Sequence, residues 1–315
     1  MTKIVTFSER ILGIYSGSRL DYVVAQIFPE HSRNHIKNWI LQGALTMDGK
    51  SVKPSTILKG GELIELYIEE QENKSNEPED IPLSIVWEDE SILVIDKPHG
   101  LVVHPGAGNK KGTLLNALLN YEKDLGYLPR AGIVHRLDKD TSGIMMVAKT
   151  EVAYLNLVNQ LKERSVRREY LALVVGSPIS GGIIDEPIGR HPVNRTKQSV
   201  IDSGKRAITE FKIKSRLGGY TLLSVLLKTG RTHQIRVHLS FKKFPIVGDK
   251  IYGIKKKFAP GTSEEKKRFI GEFSRQALHA QALSFIHPIK DKEINLSTEL
   301  PNDLKNLIKN LEKDL

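Results

Sequence analysis

The chain has 315 residues and no cysteine, and its 47 lysines and arginines against 37 aspartates and glutamates give a formal net charge of +10. The missing cysteines exclude disulfides, thiolate nucleophiles and Cys-ligated zinc, which leaves carboxylate, imidazole or hydroxyl chemistry. The basic balance predicts a polyanionic partner, and the lack of a long uncharged apolar segment, or of an apolar centre in residues 1–10, predicts a soluble cytoplasmic protein without membrane contact.

In chain order, Leu20, Val23, Val24 and Ile27 fall at helical spacing. A second helix is predicted with Ser32 as its cap, Ile36 and Ile40 on one face and Gly43 at its close. Asp48-Gly49 is a turn signal between residues 44–47 and Ser51-Val52, predicting a hairpin, and residues 62–68 read as a further strand. The second helix bears Arg33, His35 and Lys37. Two readings stand for these side chains: an ordinary solvated helix face, or contacts to phosphates. Residues 71–80 have no apolar residue except Pro78 and are expected to form an exposed linker. The expected division is a small module at 12–70, the linker at 71–80 and a large domain at 81–315, for which 39% hydrophobic residues supply a core.

The large part opens with paired strands at residues 84–87 and 92–98, followed by a helix over 113–119. The run from Gly132 to Lys149 is the most informative stretch, because ionisable residues are enclosed between two short apolar segments. Ile133-Val134 and Ile144-Met145-Met146-Val147 both read as buried strand pieces, which puts the residues between them on a turn at strand ends. Functional groups are commonly presented there, although a capped turn without chemistry has the same pattern. A helix over 151–164 follows, then strands at 170–175, 207–213 and 220–227 and a terminal helix at 302–311, giving a sheet-rich α+β fold class. Residues 228–239 leave the period open. Ile235, Val237 and Leu239 alternate like a strand, whereas Thr232 as a cap with Ile235 and Leu239 suits a helix. A metal site at His233 and His238 is rejected, since their separation does not put both on one helical face.

The string His135-Arg136-Leu137-Asp138, with Thr141-Ser142-Gly143 and its flanks Pro129-Arg130-Ala131-Gly132 and Val147-Ala148-Lys149-Thr150, resembles the active-site motif of the RluA/RluD family of RNA pseudouridine synthases, and the RluD branch most. The His-Arg-Asp loop of protein kinases is excluded: Leu137 intervenes, no Asp-Phe-Gly follows, and no glycine-rich loop precedes a Val-Ala-x-Lys strand. The resemblance implies a mixed, largely antiparallel sheet with a cleft across its middle. It also implies that Asp138 is the catalytic aspartate and that Arg136 enters the RNA helix beside the target base. Residues 228–238 resemble the family's third motif, in which Arg236 pairs with the catalytic aspartate. A surface arginine is the other reading, and Arg231 is a second candidate expected to meet RNA. Tyr170, in Arg167-Arg168-Glu169-Tyr170, corresponds to the family's active-site tyrosine, placed against the uracil; a core tyrosine with a satisfied hydroxyl is its plain alternative. The element order over 12–70, with Arg19-Leu20-Asp21 and Asp48-Gly49-Lys50, resembles the small RNA-binding module named after ribosomal small-subunit protein S-four, which implies phosphate contacts for Arg33 and Lys37. Residues 103–108 and 185–192 also match; the first is expected to form a cleft-rim loop, and no chemistry is assigned to the second.

Pseudouridine formation breaks the bond from ribose to a ring nitrogen, turns the uracil and rejoins it through a ring carbon, so no cofactor and no metal is expected. A carboxylate suits this reaction because it can attack covalently or stabilise positive charge on the sugar. To act so it must stay ionised while partly desolvated, which a fixed cation beside it makes possible. Addition of Asp138 to the sugar carbon, addition to the uracil ring and assisted elimination to a glycal all stay open; Asp140 is read as a turn or capping residue. A uridine leaving its stack vacates a space that the planar guanidinium of Arg136 is suited to fill, with phosphate binding or turn structure as the other reading. The RluD branch modifies uridines in a stem-loop of large-subunit (23S) ribosomal RNA, so that RNA, free or in an assembling large subunit, is the expected partner of a monomeric enzyme. A sister enzyme acting on other uridines of the same RNA, hydrolytic base removal and a non-catalytic RNA-binding assembly factor are the alternatives.

Overall fold

The computed structural model describes residues 2–28, 33–71, 77–106, 108–253 and 258–312. Ser32, residues 72–76 of the expected linker and Ala107 lie outside the described residues, as does the side chain of His35. The chain divides into two units, Met1–Ser75 and Asn76–Leu315, each around its own apolar core.

The first unit contains β1 (Thr2–Arg10), α1 (Leu20–Ile27), α2 (Arg33–Leu41), β2 (Leu45–Met47), β3 (Lys50–Ser51) and β4 (Leu63–Gln71), with sheet order β1-β4-β2-β3. Leu20, Val23 and Val24 of α1 and Ile36, Trp39 and Ile40 of α2 are buried with Leu45, Ile64 and Leu66 of the sheet, as their helical and alternating spacings require. Asp48 and Gly49 turn the β2–β3 hairpin in left-handed conformations, φ 50° and 72°. Strand β1 went unread in the sequence, and it carries this unit's sheet upstream of residue 12. It pairs antiparallel with β4 from Thr2↔Gln71 to Arg10↔Leu63, so its partner lies at the far end of the module's sequence, where no local signal announces it.

The second unit contains β5 (Ile85–Glu88), β6 (Ile92–Lys97), α3 (Leu114–Tyr121), β7 (Ser142–Ala148), α4 (Glu151–Glu163), β8 (Arg167–Val175), β9 (Gly182–Asp185), β10 (Ile188–Arg190), β11 (Gln198–Val200), β12 (Ile208–Leu217), β13 (Tyr220–Leu227), α5 (Gln234–Phe241), α6 (Glu264–Glu272), β14 (Leu278–Ile286), β15 (Glu293–Ser297) and α7 (Asn302–Glu312). The main sheet runs β5-β6-β7-β14-β8-β13-β12-β9, with β15 on β14, and β10 pairs β11 apart from it. Only the β7–β14 contact is parallel among the described strand pairings of this sheet, so the sheet is mixed and largely antiparallel, as expected. Strand β14 lies at its centre although the sequence did not reveal it. Its buried His279 breaks the apolar run and is accommodated by hydrogen bonds to Ser142 Oγ at 3.0 Å and Thr298 Oγ1 at 3.1 Å.

Two expectations are corrected. Ile133-Val134 is not a strand: Ile133 makes one isolated bridge to Val147, and the chain then leaves the sheet. Residues 234–241 are a helix, yet Thr232 does not cap it; the N-cap is His233, in a left-handed conformation with φ 57°. Gly143 is required where β7 meets β14, because its φ is 117° and a Cβ there would lie 2.2 Å from the Ala280 carbonyl oxygen. Among the described residues, no helix is long and apolar enough to cross a membrane.

Candidate active site

Residues 135–140 form the turn that enters β7 at the centre of the sheet. Buried Leu137 anchors the turn from below, and the amide of Thr141 donates to the carbonyl of Asp138 at 3.1 Å. Lys97, at the end of β6 and fully buried, spends its ammonium on three carbonyls: Pro98 at 2.7 Å, Leu101 at 2.9 Å and Lys139 at 3.1 Å. It thereby ties the residue after Asp138 to the end of a neighbouring strand. On the other side, Gln276 Nε2 donates to Thr141 Oγ1 at 3.1 Å. The entry to the turn is strained: Arg130, Ala131 and Gly132 are all left-handed, φ 56°, 51° and 76°, and a Cβ on Gly132 would lie 1.9 Å from the Ala148 carbonyl oxygen.

His135 has no chemical role in this arrangement. The Met146 amide donates to its Nε2 at 3.0 Å, so that nitrogen carries no proton. Burial, reinforced by the Arg168 charge, pushes its pKa down to about 3 and keeps the ring neutral. His104, on the cleft wall, is likewise held neutral by burial and by the charges of Arg130 and Arg136, at about 4.

Helix α5 brings Arg236 to this turn. Its Nη1 donates to Asp138 Oδ2 at 2.8 Å, while Nε and Nη2 donate to Asp249 Oδ2 at 2.7 Å and Oδ1 at 3.0 Å. The guanidinium also lies over the Tyr252 ring, 5.1 Å from its centroid. Burial alone would make the guanidinium easier to deprotonate, but Asp249 and Asp138 outweigh it and raise its pKa above the ordinary value, so the charge is permanent. Burial alone would raise the Asp249 carboxyl; the Arg236 guanidinium and the amides of Tyr252 and Ile251 outweigh that and hold it below the usual carboxylate range. His233 Nε2 lies 3.9 Å from Asp138 Oδ1, and its Nδ1 shares a hydrogen bond of 2.9 Å with the Tyr252 hydroxyl. Burial lowers its pKa despite the nearby Asp138 carboxylate, which favours the neutral ring.

Tyr170 rises from β8, 6% exposed, between Val225 of β13 and Ala280 of β14. Burial, together with the Asp138 charge, pushes its hydroxyl pKa up, so the phenol keeps its proton. Asp138, Tyr170, Arg236, Arg136 and Arg231 all line one cleft of about 780 Å³. That is room for a nucleoside and part of its backbone. Arg136 is exposed and, among the described residues, its side chain makes no hydrogen bond or ion pair, whereas Arg231 is tethered by Nε to the Arg206 carbonyl at 3.1 Å. Arg33 and Lys37 belong to the first unit, one turn apart on the exposed face of α2. Arg33 already lies 3.3 Å from Asp21, which is also gripped by Arg19; Lys37 has no such partner among the described residues.

The sequence reading missed Asp249, Lys97 as a brace, and Arg130 and Arg168 on the cleft wall, whereas His104 comes from the loop at 103–108 that was expected at the cleft rim. Asp249 follows a glycine in an ordinary loop string, and nothing local tells its carboxylate from any other. Among the described residues, no group of three or more His, Asp or Glu side chains is arranged to hold a metal ion.

Residues 91–241 match the family described as RNA pseudouridylate synthase, and residues 18–64 match the S4 domain. The chain is 48% identical over 299 residues to the ribosomal large subunit pseudouridine synthase D of Xanthomonas campestris, covering 95% of this chain and 90% of that protein. It is 49% identical over 298 residues to the protein of the same name from Pseudomonas aeruginosa, covering 95% and 93%. Among solved structures, human RNA pseudouridylate synthase domain containing 4 is similar, with a TM-score of 0.57 and 26% identity, over 72% of this chain and 92% of that one.

Proposed function

The chain belongs to the RNA pseudouridylate synthase family, and from that premise we propose that it isomerises uridine to pseudouridine in large-subunit ribosomal RNA, with Asp138 as the catalytic carboxylate. The observation that carries this reading is the ion pair of Asp138 with a buried, permanently charged Arg236 on a cleft that Tyr170 also lines. A carboxylate oriented by such a cation is available to attack or to stabilise charge on the reacting nucleoside.

In the reaction the bond from the ribose carbon to the ring nitrogen breaks, a bond from the same carbon to a ring carbon forms, and the proton lost from that ring carbon is balanced by one gained at nitrogen. The pieces sum to an isomerisation, which uses no external oxidant or energy source. Tyr170, held as a neutral phenol, is suited to lie against the uracil; abstraction of the ring proton by its phenolate is disfavoured by the raised pKa. Arg136, exposed at the rim and free of partners within the described chain, is suited to occupy the stack that the uridine leaves. Arg231 on the cleft, and Arg33 and Lys37 of the S4 domain, supply cations for phosphates. The acting species is a cytoplasmic monomer that takes free RNA or an assembling large subunit.

Wild-type and Asp138→Asn proteins, incubated with large-subunit RNA from cells lacking the enzyme, test this by mapping pseudouridine at nucleotide resolution. Sites made by wild type alone are expected. RNA and pre-ribosomal particles that are bound but unmodified by both proteins would instead establish an assembly factor without catalysis, and an abasic product would establish hydrolysis.

A further inference from the structure

Arg168 stands two residues before Tyr170 on β8, and strand alternation puts both side chains on the cleft face. Its Nε is buried and, among the described residues, has no hydrogen-bond partner. Among the described residues, its guanidinium forms no ion pair. The neighbouring carboxylate, Glu169, points to the opposite face, where it accepts from Ser224 Oγ at 2.9 Å and lies 3.5 Å from Arg167. Asp138, the one carboxylate among the described residues that line the cleft, is engaged by Arg236.

The guanidinium reaches the loop that follows the neighbouring strand β13. It lies against the backbone of Gly230, where an added Cβ would come within 2.9 Å of Nη1. The bare glycine thus leaves the space that the guanidinium occupies. A buried donor left without an acceptor is unfavourable, and here the rest of the half-buried guanidinium opens on the cleft, where a ligand of opposite charge can reach it. Among the described residues, seven lysine or arginine side chains line the cleft against a single carboxylate, so the opposite charge has to arrive with the substrate.

The geometry points to Arg168 as an anion site of the cleft, binding a phosphodiester that flanks the target uridine and so fixing the nucleotide by its backbone beside Tyr170 and Asp138. This rests on the reading of the cleft as a uridine-isomerising site. A phosphate is favoured over a uracil carbonyl because the unsatisfied group is a full charge with several free donors in one plane, which suits a bidentate oxyanion.

The test measures binding of the full chain to the stem-loop RNA that carries its mapped target, with either the native backbone or a single uncharged methylphosphonate at the linkage 5′ or 3′ of the target uridine. For wild type, one of the two neutral linkages is expected to weaken binding about tenfold. Arg168→Met is expected to bind native RNA about as weakly and to be insensitive to that linkage, with a salt dependence shallower by about one phosphate. Arg168→Lys, which keeps the charge and most of the packing, is expected to fall between them and to stay sensitive, and it carries the comparison if Arg168→Met does not fold. Losses that simply add, or a wild type indifferent to both linkages, would overturn the site. So would a loss in Arg168→Met that vanishes on RNA abasic at the target, which would assign Arg168 to the base. Binding is read without turnover, so a wild type that binds but makes no pseudouridine sinks the functional reading alone.

Discussion

Asp249 grips Arg236 through Nε at 2.7 Å and Nη2 at 3.0 Å, leaving Nη1 to meet Asp138. Asp249 is itself held by the amides of Ile251 and Tyr252, at 2.8 and 3.0 Å, so the orientation of the arginine is set by backbone rather than by a mobile side chain. A guanidinium held at two nitrogens is fixed against rotation away from Asp138.

Asp249→Asn is therefore expected to lower turnover about 10- to 100-fold while RNA affinity stays near wild type, since Asp249 lies behind Arg236 and does not line the cleft. Removing one partner of a buried pair also costs about 3 kcal/mol of stability, read as a lower denaturation midpoint. Unchanged single-turnover rates would show that Arg236 needs no brace.

Arg136→Ala is expected to slow modification of a folded stem-loop about tenfold or more and to leave an unstructured oligonucleotide of the same sequence much less affected, because only the folded RNA must have a base unstacked. Equal slowing on both substrates would assign Arg136 to phosphate binding instead.

The acid side of the stability profile should carry the signature of His135. In the unfolded chain this ring takes a proton near pH 6.5, but in the folded chain only near pH 3, because burial and the Met146 amide oppose protonation. The unfolded state then binds more protons throughout that window, so stability falls as the pH is lowered from about 6.5 towards 3. Between pH 7.5 and 5 the expected loss from this residue is about 1–2 kcal/mol. His135→Gln, whose side-chain oxygen can accept from the same amide, should flatten that part of the slope in urea titrations at the two pH values.

On α2, Lys37→Glu is expected to weaken RNA binding and make its salt dependence shallower by about one phosphate. Arg33→Glu should in addition destabilise the first unit, because it replaces the partner of Asp21 by a second carboxylate. Wild-type affinity and salt slope in Lys37→Glu would remove that helix face from the RNA interface.

Local pattern was enough to read much of this protein. The spacing of Leu20, Val23 and Val24, the Asp48-Gly49 turn, the apolar run ahead of Lys97 and the helix after Thr150 are each decided by neighbours in sequence, and the structure carries all of them. The string from His135 to Gly143 was legible for the same reason: its residues are contiguous in one turn and the start of β7, so their order stands as a recognisable word. What lay beyond reach was whatever depends on chain segments meeting from a distance. β1 needs β4, and β14 becomes the sheet's centre only when β7 and β8 flank it. Asp249 matters because folding lays it behind Arg236, Lys97 because three carbonyls converge on it, and Arg168 because Glu169 turns away while Gly230 leaves room. A sequence records which groups are present and their local period; which charge is buried, and which is left unpaired, is settled by desolvation and proximity in the folded chain.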